Sequence, residues 1–101
     1  MFCSVLIRRL KEGVSFEDFR KAWEPAEGHF GRSVRVRHAR RTDDDREIVS
    51  FAFLDVTVED LNALLDRIAE GEKQRHGRSA ELIESTVAAV IYEVFDEEHL
   101  S

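Results

Sequence analysis

The chain has little of what marks the commoner functional classes. One cysteine, Cys3, in 101 residues excludes an internal disulfide and a CxxC metal or redox pair, and makes a reducing compartment the expected setting. One proline and five glycines, with no low-complexity tract, argue against a disordered chain. No apolar run approaches the ~20 residues of a membrane span. Phe2–Ile7 is too short for a secretory signal and has its arginines on the wrong side, so a cytoplasmic protein is expected. There is no GxSxG elbow, P-loop or GxGxxG run, and serine hydrolysis and nucleotide binding lack support. The four histidines, His29, His38, His76 and His99, have no paired spacing. Asp43-Asp44-Asp45 lacks the alternating ligands of a calcium loop. Neither a metal nor a cofactor is expected.

What is present suits one compact domain spanning 1–101, with 43% hydrophobic and 36% charged residues and a core too thin for a large private active site. The net charge of −6 hides two unlike halves. Residues 1–42 carry ten basic and five acidic groups, and residues 43–101 five and sixteen. A net negative domain repels phosphate backbones, which disfavours nucleic acid as a partner.

An internal echo organises the chain. Val14-Ser15-Phe16-Glu17-Asp18-Phe19 matches Val56-Thr57-Val58-Glu59-Asp60-Leu61 position for position, 42 residues on. Each reads as a helix start, with Ser15 or Thr57 as N-cap, acids in the first turn and an apolar residue ahead of the cap. Phe16, Phe19, Ala22 and Trp23 make one stripe, ended by Pro25 and Gly28; Leu61, Leu64, Leu65 and Ile68 make the other, ended near Gly71. Phe2–Arg9, Ser33–Ala39, Glu47–Asp55 and Glu84–Phe95 read as strands, with Asp43-Asp44-Asp45 as a hairpin turn. Residues 72–84 read as a polar insertion in which Ser79–Ile83 forms a short extra helix, and Asp96–Ser101 as an acidic tail.

The order strand–helix–strand–strand–helix–strand is that of a ferredoxin-like α+β domain, an antiparallel sheet with two helices on one face. The other face should then alternate apolar with polar if it met water. Val5-Leu6-Ile7, Ile48, Val49, Phe51, Phe53 and Val87, Val90, Ile91 are apolar on both sides. Such a face needs a cover, and a second copy of the chain is the expected one.

Taken from Phe2-Cys3-Ser4-Val5-Leu6-Ile7 through Leu10–Trp23 to the last strand, the pattern resembles the dimeric α/β-barrel superfamily. Its members include cofactor-independent monooxygenases of the antibiotic-biosynthesis type, haem-degrading enzymes and EthD-like proteins. The resemblance implies a homodimer joined through open sheet faces, with monooxygenase or isomerase activity among the possibilities. The first strand lacks the Asn of haem-degrading members, while Phe19, Trp23 and His29 loosely echo the EthD-like pattern. A competing resemblance is to the RNA-recognition motif, which stacks bases on aromatics of its central strands. Ser50-Phe51-Ala52-Phe53-Leu54 fits its centre, but Val49 and Val56 stand where a base and a closing aromatic are expected.

Several residues carry candidate chemistry. Arg35, Arg37 and Arg41 share one face of the second strand, as a charged edge or as guanidinium forks for an anion; Val34, Val36, His38 and Arg40 share the other. His38 and His29 are candidate proton carriers, although a half-buried histidine and a loop histidine are the plainer readings. Trp23 and Tyr92, each the only one of its type, are packing residues or walls of a pocket, and Cys3 is an inert strand thiol. The expectation is a homodimer holding a small anionic or aromatic molecule, with His38 or His29 as base and Arg35, Arg37, Trp23 and Tyr92 at the substrate. An RNA binder using Phe51 and Phe53, and a purely structural dimer without ligand, are the alternatives.

Overall fold

In the computed structural model, which describes residues 1–101, the elements follow the expected order. They are β1 (Phe2–Leu10), α1 (Phe16–Trp23), β2 (Arg37–Arg41), β3 (Asp44–Leu54), α2 (Val58–Ser79), a 3-10 turn (Ala80–Leu82) and β4 (Ile83–Glu93). The four strands form one sheet in the order β2-β3-β1-β4 with every pairing antiparallel, and two helices accompany it. This is the ferredoxin-like α+β arrangement.

Both helix starts form as the echo predicts. The Ser15 hydroxyl accepts from the Asp18 amide and the Thr57 hydroxyl from the Asp60 amide, each at 3.1 Å. Pro25 stands two residues beyond the end of α1, where a helix readily stops. α2 departs from expectation, because it does not end near Gly71 and continues to Ser79, absorbing most of the supposed insertion. A helical glycine costs only about 1 kcal/mol, and the last turns are pinned from outside. Arg75 Nε donates to the Trp23 carbonyl at 2.8 Å, and Arg78 donates to the carbonyls of Ala22 and Glu24. These are carbonyls at and just beyond the end of α1, where a helix leaves such groups unpaired. The arginines of one helix thus complete the terminus of the other.

The second strand is shorter than the alternation of residues 33–39 implies. Pairing with β3 begins only at Arg37 opposite Phe51, and Val34 and Val36 turn to line cavities instead. All five residues of β2 are exposed, and four of them, including Arg37, Arg40 and Arg41, carry basic side chains, which suits an edge that must not pair with strangers.

The register sorts the side chains into two faces. Toward the helices point Leu6, Arg8 and Leu10 of β1, Ile48 and Ser50 of β3, and His38 of β2, opposite Ser50. Leu10, Phe19, Trp23 and Ile48 form the buried core, with Leu6, Val14, Phe16 and Ile83 packed against it. On the opposite face lie Cys3, Val5 and Ile7, Val49, Phe51 and Phe53, and Val90 and Tyr92. Nothing in the chain covers them; Phe53 is 57% exposed and Tyr92 56%.

Because α1 has only eight residues, its cap matters more than the longer helix's. Ser15→Ala is expected to lower stability by about 1 kcal/mol, read as a lower urea midpoint with an unchanged m-value.

Candidate functional site

α2 touches the layer beneath it along a narrow line. Its buried residues are Leu61, Ile68 and Arg75, seven apart, and Ser79 at its last turn. Leu64, Leu65, Glu72 and His76 on either side of that line face a cavity of about 330 Å³ between helix and sheet. Leu6, Ser50, Ala52 and Ile91 contribute the sheet side, and 14 of the 19 lining residues are apolar. A wider hollow of about 740 Å³ opens beneath residues 24–36, bounded by Arg20, Trp23, His29, His38 and Arg75. Trp23, Phe30, Val34, Val36 and Arg75 line both spaces, so the two adjoin at that point.

Trp23 is the hinge of this arrangement. The guanidinium carbon of Arg8 lies 4.1 Å from its ring centroid and that of Arg75 3.9 Å, while Phe19 stacks at 6.3 Å and His76 approaches edge-on at 4.8 Å. Cation–π contacts of this kind strengthen when water is excluded. Arg75 is further held by Glu72, whose Oε1 accepts from it at 2.7 Å.

Arg8 has no such partner. It occupies the middle of the row Leu6–Arg8–Leu10, is 2% exposed, and both of its terminal nitrogens are buried without a hydrogen bond. Burial, with the nearby Arg75 charge adding to it, pushes its guanidinium down to about 10. It therefore remains charged at neutral pH, and the fold carries an incompletely compensated cation in its core.

His38 sits where the larger space meets the sheet. Its Nδ1 is 2.7 Å from the buried Ser50 hydroxyl, and its ring meets Phe16 edge-on at 5.2 Å. Desolvation foremost, then the charges of Arg8, Arg20 and Arg75, hold its imidazole below the ordinary 6.5. The ring is accordingly neutral at pH 7 and able to accept a proton. Because the unfolded ring protonates at the higher pH, His38's contribution to stability is full above about pH 6.5 and falls as the pH drops toward the folded value.

His29 is built into the wall. Its Nε2 lies 3.1 Å from Glu72 Oε1, its side chain is 8% exposed, and its ring fills the space over Gly71, where a Cβ would come within 2.4 Å of it. Gly71 is thus a seat for the histidine that ties the 24–36 segment to α2.

Of the residues singled out from sequence, Trp23, His29 and His38 meet around one space. Arg35 lines neither cavity. Arg37 opposite Phe51 and Tyr92 opposite Cys3 lie on the open face of the sheet. Sequence reasoning overlooked Arg8, Ser50, Glu72 and Arg75. A signal existed for two of them: Arg8 puts a charge into the apolar register of β1, and Arg75 extends the row Leu61–Ile68 once the helix passes Gly71.

No family model matches the chain, and no curated protein does. Solved structures do. An uncharacterized NIPSNAP domain protein from Burkholderia xenovorans superposes with a TM-score of 0.66 at 16% identity, covering 94% of this chain and 95% of the other. A proposed antibiotic biosynthesis monooxygenase from Nitrosomonas europaea gives 0.65 at 17% identity over 95% and 100%, and another from Chloroflexus aurantiacus J-10-fl gives 0.62 at 13% over 99% and 98%. The chain therefore has the fold of these NIPSNAP and antibiotic biosynthesis monooxygenase domain proteins, a ferredoxin-like α+β arrangement. At these identities the likeness is one of fold.

Arg8→Met keeps most of the side chain's length and removes the uncompensated charge. It is expected to raise unfolding free energy by about 1–3 kcal/mol in urea titration, and to move the His38 ring titration upward toward 6.5 in an NMR pH series. Gly71→Ala is expected to displace His29 and loosen residues 24–36, seen as faster amide exchange there with α2 intact.

Proposed function

We propose that this chain is one subunit of a cytoplasmic homodimer that binds a small, largely apolar molecule between its sheet and α2 and abstracts a proton from it at His38, in the manner of a cofactor-independent monooxygenase. The observation that carries the reading is an apolar cavity of about 330 Å³ that adjoins, across the Arg75 guanidinium, a wider hollow lined by the anchored imidazole of His38. Volumes of this order suit a ligand of two or three rings.

The chemistry follows from the geometry of His38. In the tautomer whose Nδ1–H donates to Ser50 Oγ, Nε2 is left as the acceptor of a substrate proton. Removing a proton from an enolisable or phenolic substrate leaves an anion, and Arg75 is placed to stabilise it. Such an electron-rich anion reacts with dioxygen and supplies the electrons itself, one oxygen atom being added at a ring carbon and the other leaving as water as the hydroxyarene becomes a quinone. Arg35, Arg37 and Tyr92 have no place at this site in a lone subunit. In the dimer proposed here, Arg37 and Tyr92 belong to the seam, and His29 supports the wall.

The open sheet face supplies the reason for pairing. Phe51 and Phe53 lie on it with their rings 6.4 Å apart, beside Val5, Ile7, Val49 and Val90. An apolar surface spanning three strands is costly to leave in water. A second copy, which offers the same surface, covers it with a two-fold interface.

Sedimentation is expected to return twice the subunit mass of 11.7 kDa, and Phe53→Glu to return a soluble monomer. A monomer at high concentration, with single-stranded RNA bound through Phe51 and Phe53, would instead favour the alternative reading. Oxygen uptake with dihydroxynaphthalenes as substrates is expected to fall about 100-fold or more in His38→Gln, with the dimer intact. Unchanged uptake in that variant removes His38 as the base.

A further inference from the structure

The charges around Trp23 do not balance. Arg8 and Arg75 stand within about 8 Å of one another through the indole they share, no more than about one Debye length in physiological salt. One carboxylate, Glu72, answers them, and its Oε1 is already engaged by Arg75 and His29. His38 and His76, the neighbouring imidazoles, are both held below their ordinary value, chiefly by desolvation, and add no charge at neutral pH. The buried groups around Trp23 therefore carry one positive charge more than Glu72 neutralises, with the exposed Arg78 adding to their field from outside.

That charge has an outlet at a defined place. Arg75 spends Nε on the Trp23 carbonyl and Nη1 on Glu72, which leaves Nη2 without a bonded partner. Arg75 is also among the residues common to both cavities, at the point where the apolar space meets the wider hollow. Arg8 lies behind Trp23 and outside both walls, so it acts on the cavity through its field and not by contact. A leucine at position 8 would pack between Leu6 and Leu10 without an unbonded guanidinium. The charge therefore serves something negative that the chain does not contain.

We propose that the ligand of this cavity is a monoanion, a flat apolar body between the sheet and α2 bearing a single carboxylate or enolate oxygen group set against Arg75 Nη2. The inference rests on the reading of the cavity as a small-molecule site, and it narrows the class of molecule that site takes. The count of one uncompensated charge favours a monoanion over a phosphomonoester. The apolar lining favours fused rings over a polar chain. The remaining charges on the hollow, Arg20 and Arg32 against Glu24 and Glu27, offset one another.

Calorimetric titration at pH 7.5 with 2-naphthoate and its neutral isostere 2-naphthamide tests this. Naphthoate is expected to bind roughly tenfold or more tightly than the amide, and both are expected to quench the emission of Trp23, the only tryptophan in the chain. In Arg75→Met the preference should vanish, naphthoate and naphthamide binding to that variant with affinities within about twofold of each other. Arg75→Lys keeps the charge and should retain part of the preference, which guards against a methionine variant that fails to fold. Equal affinities in the unmodified protein, or a preference that survives Arg75→Met, overturn the monoanion inference and leave the cavity reading standing. If neither compound binds or perturbs Trp23 at millimolar concentration, the cavity reading falls as well.

Discussion

Trp23 between two guanidinium groups is the contact on which the arrangement of both helices depends. Arg75 stacks on the indole and bonds the Trp23 carbonyl, while Arg78 takes two neighbouring carbonyls. α1 is too short to be stable alone, and its carboxyl end is held by residues more than fifty positions away. The same contact sets where α2 can lie. Fixed by Arg75 at one end and by Leu61 and Ile68 along its length, the helix leaves a hollow beside the line they make. The cavity is a consequence of how the two helices are joined.

That junction also concentrates positive charge. A buried guanidinium beside an aromatic ring is tolerable, since the ring face partly replaces water, yet Arg8 has neither carboxylate nor carbonyl on its terminal nitrogens. Stability alone would favour an apolar side chain there. Desolvation, with that charge adding to it, holds the His38 imidazole below its ordinary value, so the feature that weakens the fold also bears on the proposed site. The fold is shared with NIPSNAP and antibiotic biosynthesis monooxygenase domain proteins; the side chains that line the space between sheet and helices belong to this chain and decide what enters.

Much of the fold was legible because local chemistry and tertiary structure agree. The paired caps at Ser15 and Thr57, the apolar stripes behind them and the runs of branched residues in the strands are short-range signals, and the fold uses all of them. Disagreement arose where a long-range contact outvoted a local preference. Gly71 read as a helix stop, but Arg75 and Arg78, about one and two turns further on, bond carbonyls at the end of α1 and carry α2 on to Ser79. Val34 and Val36 alternate like strand residues, yet they line the cavities because β2 pairs only from Arg37. Of the candidate site residues, Trp23, His29 and His38 converge around one space, whereas Arg37 and Tyr92 lie on the opposite face, since register decides which side of a sheet a residue takes.

The amino-acid order by itself determined the element sequence, the caps, the doubly apolar sheet and the charged edge, because each depends on residues within a few positions of one another. Only the tertiary structure decided that Arg8 would be buried without a partner, that Glu72 would be shared between Arg75 and His29, and that Ser50 would hold His38. Those relations join residues on different elements, and the distance and solvent exclusion that give them their chemistry exist only once the chain has closed around them.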